Sequence, residues 1–370
     1  MSRRLFVSSG FAFGAAACSS ENNLFDVATQ PALTEVESNL RRHRIYIITT
    51  RRKSEDPTEF FSGRRSGTLN FAAVDVLIPP SHETGNIERP KQLPPNPNKH
   101  FVITNTNSYE EYDSFKNDYN AAALSLPRGQ RDGLLWVHGY NTTLTDAVLR
   151  LAQFVEDSGY DGVPFLYSWA SQGKLTGYVY DINSALIARD RLEEIPVLLE
   201  RSDLEGIDIV AHSMGNFATM EAIRGVAGHG IFDTTGKLRN IVLASPDIDI
   251  DLFAQQLTKI PPEKRRFFVL TSQDDRALSI SSKIARNPRV GQLHPDVLGK
   301  LGVNVIDLSQ VEDTSSIHHN KFADSPEIVQ LLGTRVLAGD TFGGGGNAPG
   351  LGESFVVGAS GAIVAVDEVF

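Results

Sequence analysis

Three places in the second half of this sequence hold residue types that could together do nucleophilic chemistry. They are the turn Ala211-His212-Ser213-Met214-Gly215-Asn216, the pair Asp274-Asp275 and the pair His318-His319. A serine hydroxyl is a poor nucleophile near neutral pH and needs an adjacent base to take its proton. A histidine would be that base, and an aspartate would fix its tautomer and stabilise the imidazolium. Ser213 follows the apolar run Ile207-Asp208-Ile209-Val210 and precedes a helical pattern, the strand-turn-helix setting of a nucleophile elbow, with Ala211 where glycine is usual. The oxyanion of a tetrahedral intermediate would also need backbone N–H donors. Met214, next after the serine, would give one, and the turn Val137-His138-Gly139-Tyr140 the other, with Tyr140 as the donor. The preferred set is Ser213, Asp275 and His319. Asp274 and His318 are the alternates, and Asp247, after the preceding strand, is a displaced acid. His138 reads as support for the oxyanion turn and His212 as a packing or orienting residue.

These residues need a scaffold that brings loops far apart in sequence to one edge. From residue 134 onward, short apolar runs alternate with helical periodicity, which argues a parallel α/β sheet. The predicted strands are Leu134–Val137, Val163–Trp169, Ile207–Val210, Asn240–Ala244, Phe267–Thr271 and Val303–Asp307. In such sheets ligands bind beyond the carboxyl ends of the strands, where His138–Asn141, Ser213, Asp274/Asp275 and His318/His319 all fall. Thr143–Asp146 reads as a capping box, with Leu144, Val148, Leu151 and Val155 at helical spacing behind it. Further helices are expected over 181–200 and 325–337. The front third holds strand patterns at Arg44–Thr50, Leu69–Ile78 and His100–Ile103, forming an antiparallel edge. Long surface loops separate them, among them a solvated basic segment with Arg51-Arg52-Lys53 and Arg64-Arg65 and a Pro-rich stretch up to Pro97.

At 370 residues the chain can bury a large core. Its formal net charge of −10 argues against nucleic acid as a partner. A single cysteine, Cys18, excludes an intrachain disulfide and multi-cysteine zinc sites. No His-Glu-x-x-His pair is present, so neither metal nor cofactor is called for. The start, with Arg3-Arg4-Leu5-Phe6 and then Ala15-Ala16-Ala17-Cys18, resembles a twin-arginine signal peptide ending at a lipoprotein cleavage site. It leads to the expectation of an exported protein, periplasmic or attached to the bacterial cell envelope, with membrane attachment through lipidated Cys18. The organisation expected is a signal over 1–18, a linker over 19–41, the α/β unit over 42–337 and a Gly-rich tail over 338–370, either a flexible linker or an irregular β extension.

The order serine, aspartate, histidine is that of alpha/beta-hydrolase triads. Four segments in order, Trp136–Thr142, Leu166–Trp169, Ala211–Asn216 and Ala244–Asp249, resemble a bacterial lipase/esterase-like family of alpha/beta hydrolases catalogued as a domain of unknown function. The resemblance covers roughly 42–337. It implies an alpha/beta-hydrolase fold, with a mostly parallel central sheet, helices on both faces and an antiparallel N-terminal edge. By it Ser213 falls on the nucleophile, Asp275 on the acid and His319 on the base, although His319-Asn320-Lys321 stands where the family has His-Ser-Tyr. It implies hydrolysis of a small-molecule or lipid-like ester through an acyl-enzyme. Amide or thioester hydrolysis by the same triad, or a non-catalytic envelope scaffold on this fold, are the alternatives, and oligomeric state leaves no mark on the sequence.

Overall fold

A computed structural model describes residues 39–56, 59–312, 317–338, 354–357 and 363–365. The expected signal, nearly all of the linker and most of the Gly-rich tail lie outside the described residues. In chain order the elements are β1 (Arg42–Lys53), β2 (Phe61–Leu77), β3 (Val102–Tyr109), α1 (Tyr112–Ser125), β4 (Asp132–Val137), α2 (Leu144–Ser158) and β5 (Val163–Ser168). They continue with α3 (Tyr178–Leu192), α4 (Glu194–Glu200), β6 (Gly206–His212), α5 (Met214–Gly228), β7 (Leu238–Ala244) and α6 (Ile250–Leu257). The last are β8 (Phe267–Thr271), α7 (Arg276–Ala285), α8 (Pro295–Gly299), β9 (Asn304–Asp307), α9 (Lys321–Asp324), α10 (Pro326–Leu331), β10 (Ser354–Val357) and β11 (Ile363–Ala365).

The strands form one sheet in the order β11-β10-β9-β8-β7-β6-β4-β5-β1-β2-β3. From β10 through to β1 neighbouring strands run parallel. β1, β2 and β3 pair antiparallel at one end, and β11 pairs antiparallel with β10 at the other. The expected mostly parallel sheet with an antiparallel N-terminal edge is therefore present. Side chains alternate across each strand, so the strands feed two cores. Tyr46, Leu135, Phe165, Ile209 and Val269 pack against helices on one face, among them α1, α3 and α5. Ile45, Trp136, Leu166, Val210 and Phe268 pack against α2, α9 and α10 on the other. The inner strand β4 is buried at every residue, which is why its sequence is a continuous apolar run instead of an alternation.

Local signals explain several boundaries. The Thr143 hydroxyl accepts from Asp146 N–H while the Asp146 carboxylate accepts from Thr143 N–H, closing the predicted capping box on α2, worth about 1 kcal/mol. Gly159 ends that helix in the left-handed region, at φ 64°. After β8 the chain makes an excursion. α7 rises directly from Asp275, and by residues 290–291 the backbone is back at the strand ends, bonding Ile248, Pro246 and Ser272. The crossover to β9 then runs through α8. Among the described residues no helix is long and apolar enough to cross a membrane.

Four expectations need correction. Arg51 is not in a solvated loop: it lies in β1 and its side chain is buried. Arg64 and Arg65 belong to β2, which is longer than its apolar half suggests and only partly buried over Ser62–Phe71. The single helix expected over 181–200 starts at Tyr178 and divides into α3 and α4, and the one expected over 325–337 is α10 running into a π-turn at Leu332–Val336, with the short α9 ahead of it. Helix α1, within the segment read as loops and strands, had not been expected. The Ser354–Val357 stretch of the tail adds to the sheet beside β9.

Candidate active site

Ser213 stands between the end of β6 and the first turn of α5, with φ 52° and ψ −123°. A non-glycine residue in that region is strained and persists only where its surroundings over-determine it. Here they do. Ser213 N–H donates to Ala244 O (3.0 Å), and Ser213 O accepts from Asn216 N–H (3.1 Å), Asn216 Nδ2 (3.1 Å) and Asp247 N–H (3.3 Å). Gly215 is required because a Cβ there would lie 2.4 Å from His138 O and 2.7 Å from Val137 O. That contact also shows the start of α5 pressed against the turn after β4. Ala211 needs no glycine: it is an interior strand residue whose methyl joins the core.

The turn after β4 is held from three directions. His138 is buried and stacks on Trp169, ring centroids 4.9 Å apart, and Trp169 Nε1 donates to His138 O (2.8 Å). His138 Nδ1 donates to Gly139 O (2.8 Å), which leaves Nε2 to accept from the Ser168 hydroxyl (3.2 Å). Burial, with the charge of Arg51, pushes the imidazole down to about 3, so it is neutral. Arg51 donates from Nε to Ser168 Oγ (2.8 Å), from Nη1 to Ser171 O (2.9 Å) and from Nη2 to Thr142 O (2.7 Å), tying together the loops after β4 and β5. Burial pushes its guanidinium down to about 10, against the raising charge of Asp181 and other acids, so it stays cationic. The Asp181 carboxylate accepts from Ser171 Oγ (2.6 Å), Gln172 N–H (2.9 Å) and Asn141 N–H (3.2 Å). Gly139 sits so close to the elbow that a Cβ there would stand 2.9 Å from Ser213 Cβ and 3.0 Å from His212 Nδ1. The N–H groups of Met214 and Tyr140 flank this contact, and among the described residues neither donates a hydrogen bond.

The aspartate pair divides cleanly. Asp275 is fully buried; its Oδ2 accepts from His319 Nδ1 (2.7 Å) and its Oδ1 from Leu278 N–H (2.9 Å), so one carboxylate orients the imidazole and caps α7. Asp274 turns the other way, to Lys321 Nζ at 2.8 Å from both oxygens, and the buried Lys321 also donates to Leu308 O (3.1 Å). Burial alone would push His319 down, but the charge and hydrogen bond of Asp275, with Asp247 adding at longer range, more than offset it, leaving its pKa above the ordinary 6.5. His318, the alternate base, takes a left-handed φ of 57°. His212 lies between the two halves of the site: its ring is 4.8 Å from that of His319 and its Nε2 meets His319 O at 3.4 Å. Burial, and then the neighbouring His319, push His212 well below 6.5, so it is a neutral spacer. Among the described residues the Ser213 hydroxyl makes no hydrogen bond. The structure thus joins Asp275 to His319, sets Ser213 against the Gly139 turn, and packs the two pairs together through His212.

Asp247, the displaced-acid alternate, does not meet His319. Its Oδ1 accepts from Ser281 Oγ (2.6 Å) and Arg289 Nε (3.1 Å), and its Oδ2 from Tyr178 OH (3.3 Å). Tyr178 packs edge-on against Tyr140, centroids 5.3 Å apart. Sequence reasoning passed over Arg51, Asp181, Tyr178 and Arg289. The first stood in what looked like a solvated charge run, and the others carried no local pattern. No group of three metal-ligating side chains occurs among the described residues.

The family described as alpha/beta hydrolase of unknown function (DUF900) matches residues 120–335. No curated protein matches the chain. Among solved structures, an esterase from Pyrobaculum calidifontis is similar at 12% identity and a TM-score of 0.32, covering 60% of this chain and 92% of its own. A lipase-esterase related protein from Clostridium acetobutylicum is 15% identical, with a TM-score of 0.24 over 54% of this chain and 81% of its own. A hydrolase from Oleispira antarctica is 11% identical, also at 0.24, over 53% and 77%.

Proposed function

The chain belongs to the alpha/beta-hydrolase family of unknown function, and from that premise we propose that it is a serine hydrolase that cleaves a carboxylic ester through an acyl-enzyme. The observation that carries the reading is the His319–Asp275 hydrogen bond of 2.7 Å at the same sheet edge as a serine held at φ 52°. In the first half-reaction Ser213 Oγ attacks the ester carbonyl carbon as His319 Nε2 takes the hydroxyl proton. The carbonyl oxygen becomes an oxyanion that accepts from Met214 N–H and Tyr140 N–H, each donor worth about 3–4 kcal/mol in comparable enzymes. Collapse breaks the bond to the alcohol oxygen, which leaves with the proton from His319. Water then repeats the sequence on the acyl-enzyme, giving the acid and restoring Ser213. Asp275 holds the proton of the neutral imidazole on Nδ1 and stabilises the imidazolium.

The test is turnover of short- and medium-chain p-nitrophenyl esters by the purified protein and its Ser213→Ala variant, with fluorophosphonate labelling alongside. Hydrolysis and labelling are expected in the parent and neither in the variant. Unchanged turnover in Ser213→Ala rejects this serine as the nucleophile. We also propose, on the Arg3-Arg4 and Ala15–Cys18 segments, export and lipid attachment at Cys18. Mass spectrometry of the cellular protein checks it, and an intact Met1 overturns it.

A further inference from the structure

Helix α7 turns an unusual face to solvent. Arg276, Ile280, Lys283 and Ile284 share one helical face, by their spacing of four, seven and eight residues. All four are exposed, the isoleucines at 61% and 65%, while Leu278 and Ser281 face inward. Tyr178 OH and Ser281 Oγ meet at 3.0 Å and so bring the start of α3 to α7. On that side Val179 is 71% and Leu175 54% exposed, with Lys174 exposed beside them. Both groups border the candidate site: Asp275 caps α7, and Tyr178 packs on Tyr140.

Charge separates this rim from the rest of the molecule. The stretch 276–289 carries four cations and no carboxylate, in a chain whose net charge is −10. Arg289 turns inward to Asp247, whereas Arg276, Lys283 and Arg286 are exposed. Exposed isoleucines interleaved with cations match the two terms that hold a peripheral helix on an anionic bilayer, apolar insertion and attraction to acidic headgroups.

We infer that the outer face of α7, together with Leu175 and Val179, is a docking surface for an anionic lipid bilayer, which sets the mouth of the site at the lipid surface. The docking stands on these exposed residues. That the bilayer supplies the ester, as an amphiphile with its carbonyl at headgroup level, rests on the hydrolase reading above.

Flotation of the purified full chain with phosphatidylglycerol or phosphatidylcholine vesicles, at low and physiological salt, tests it. The protein is expected to float with the anionic vesicles and not with the zwitterionic ones, less so as salt rises. Lys283→Glu with Arg286→Glu should lower the partition coefficient by at least about tenfold, and Ile280→Ser with Ile284→Ser by about tenfold or more. Neither pair should change turnover of a soluble p-nitrophenyl ester. Absence of flotation overturns the proposal, as does equal flotation of the variants, which would mean binding through another segment. It is also overturned if the isoleucine change instead abolishes a dimer seen without vesicles. A parent that turns over the soluble ester but never floats removes the docking surface alone, and a parent that docks without turnover removes the hydrolase reading alone.

Discussion

Replacing Asp275 by asparagine is the most searching test of the proposed chemistry, because the structure fixes what the new side chain must do. Asp275 accepts two hydrogen bonds, from Leu278 N–H at 2.9 Å and from His319 Nδ1 at 2.7 Å. An amide has one oxygen. If it keeps the cap on α7, its NH₂ faces Nδ1, which must then accept and so lose its proton to Nε2. That is the nitrogen required to take the proton of Ser213, and the base is disabled with little change in shape. The loss expected for a wrong tautomer is about 10³–10⁴-fold in kcat, or about 4–5.5 kcal/mol. The pH profile should change as well. In the parent, kcat/KM should rise with pH through an apparent pKa above 6.5, because Asp275 favours the protonated imidazole. Without that charge the limb should move down. The assay is hydrolysis of a soluble p-nitrophenyl ester between pH 5 and 9, with circular dichroism to show that the variant is folded. Asp247→Asn is the control, since Asp247 is engaged by Ser281, Arg289 and Tyr178. A folded Asp275→Asn within about tenfold of the parent, or a greater loss in Asp247→Asn, would refute the assignment of the acid.

Three more outcomes follow from the geometry. Gly139→Ala should cost about 100-fold or more in kcat with secondary structure intact, because its Cβ would press Ser213 Cβ at 2.9 Å and shift the oxyanion turn; unchanged kinetics would show that the turn does not serve the serine. Ser213→Gly should be more stable than Ser213→Ala by about 1 kcal/mol in thermal unfolding, since glycine tolerates φ 52°, ψ −123°. Equal melting temperatures would mean that the elbow is unstrained. His82 lies between Glu88 (2.9 Å) and Asp157 (2.7 Å), and although burial lowers its pKa, those carboxylates raise it above 6.5 overall. Its folded-state value is raised, so its stabilisation is complete below pH 6.5 and lost as pH rises through the higher folded value. A His82→Gln variant should flatten the fall in melting temperature over that window, and an unaltered slope would rule this histidine out.

The parallel half of the sheet was legible because its strands are buried on both sides and read as unbroken apolar runs. The elbow was legible because the small-residue turn, common on its own, is followed by an aspartate and a histidine in hydrolase order at later strand ends. The front third was not. In β2 the segment Ser62–Phe71 is only half-buried, so Arg64 and Arg65 look like loop residues although their backbone is paired. Helix α1 buries only Phe115, Tyr119 and Ala123, a stripe too narrow among Asp, Asn and Ser to stand out. Within the site, residue order pointed to an aspartate and a histidine at successive strand ends. The orientation of Asp274 toward Lys321, and of Asp275 toward His319, depends on partners 47 and 44 residues away. Arg51 was misread for a general reason: a charge run gives no sign that one of its members turns inward until the carbonyls that receive it are known.

Arg51 has a bearing on modularity. The region shared with the family begins at residue 120, yet the side chain that ties Thr142 to Ser171 comes from β1, some seventy residues earlier, and β1 itself covers the edge of β5. A chain trimmed to 120–335 would expose that edge, cut α1 in two, and leave two inward-facing carbonyls without their donor. Such a fragment is expected to aggregate on expression, while a chain beginning at residue 39 should melt cooperatively. On this reasoning the smallest piece expected to fold includes a cation outside the shared region, and a boundary drawn from sequence likeness would cut the unit expected to melt as one.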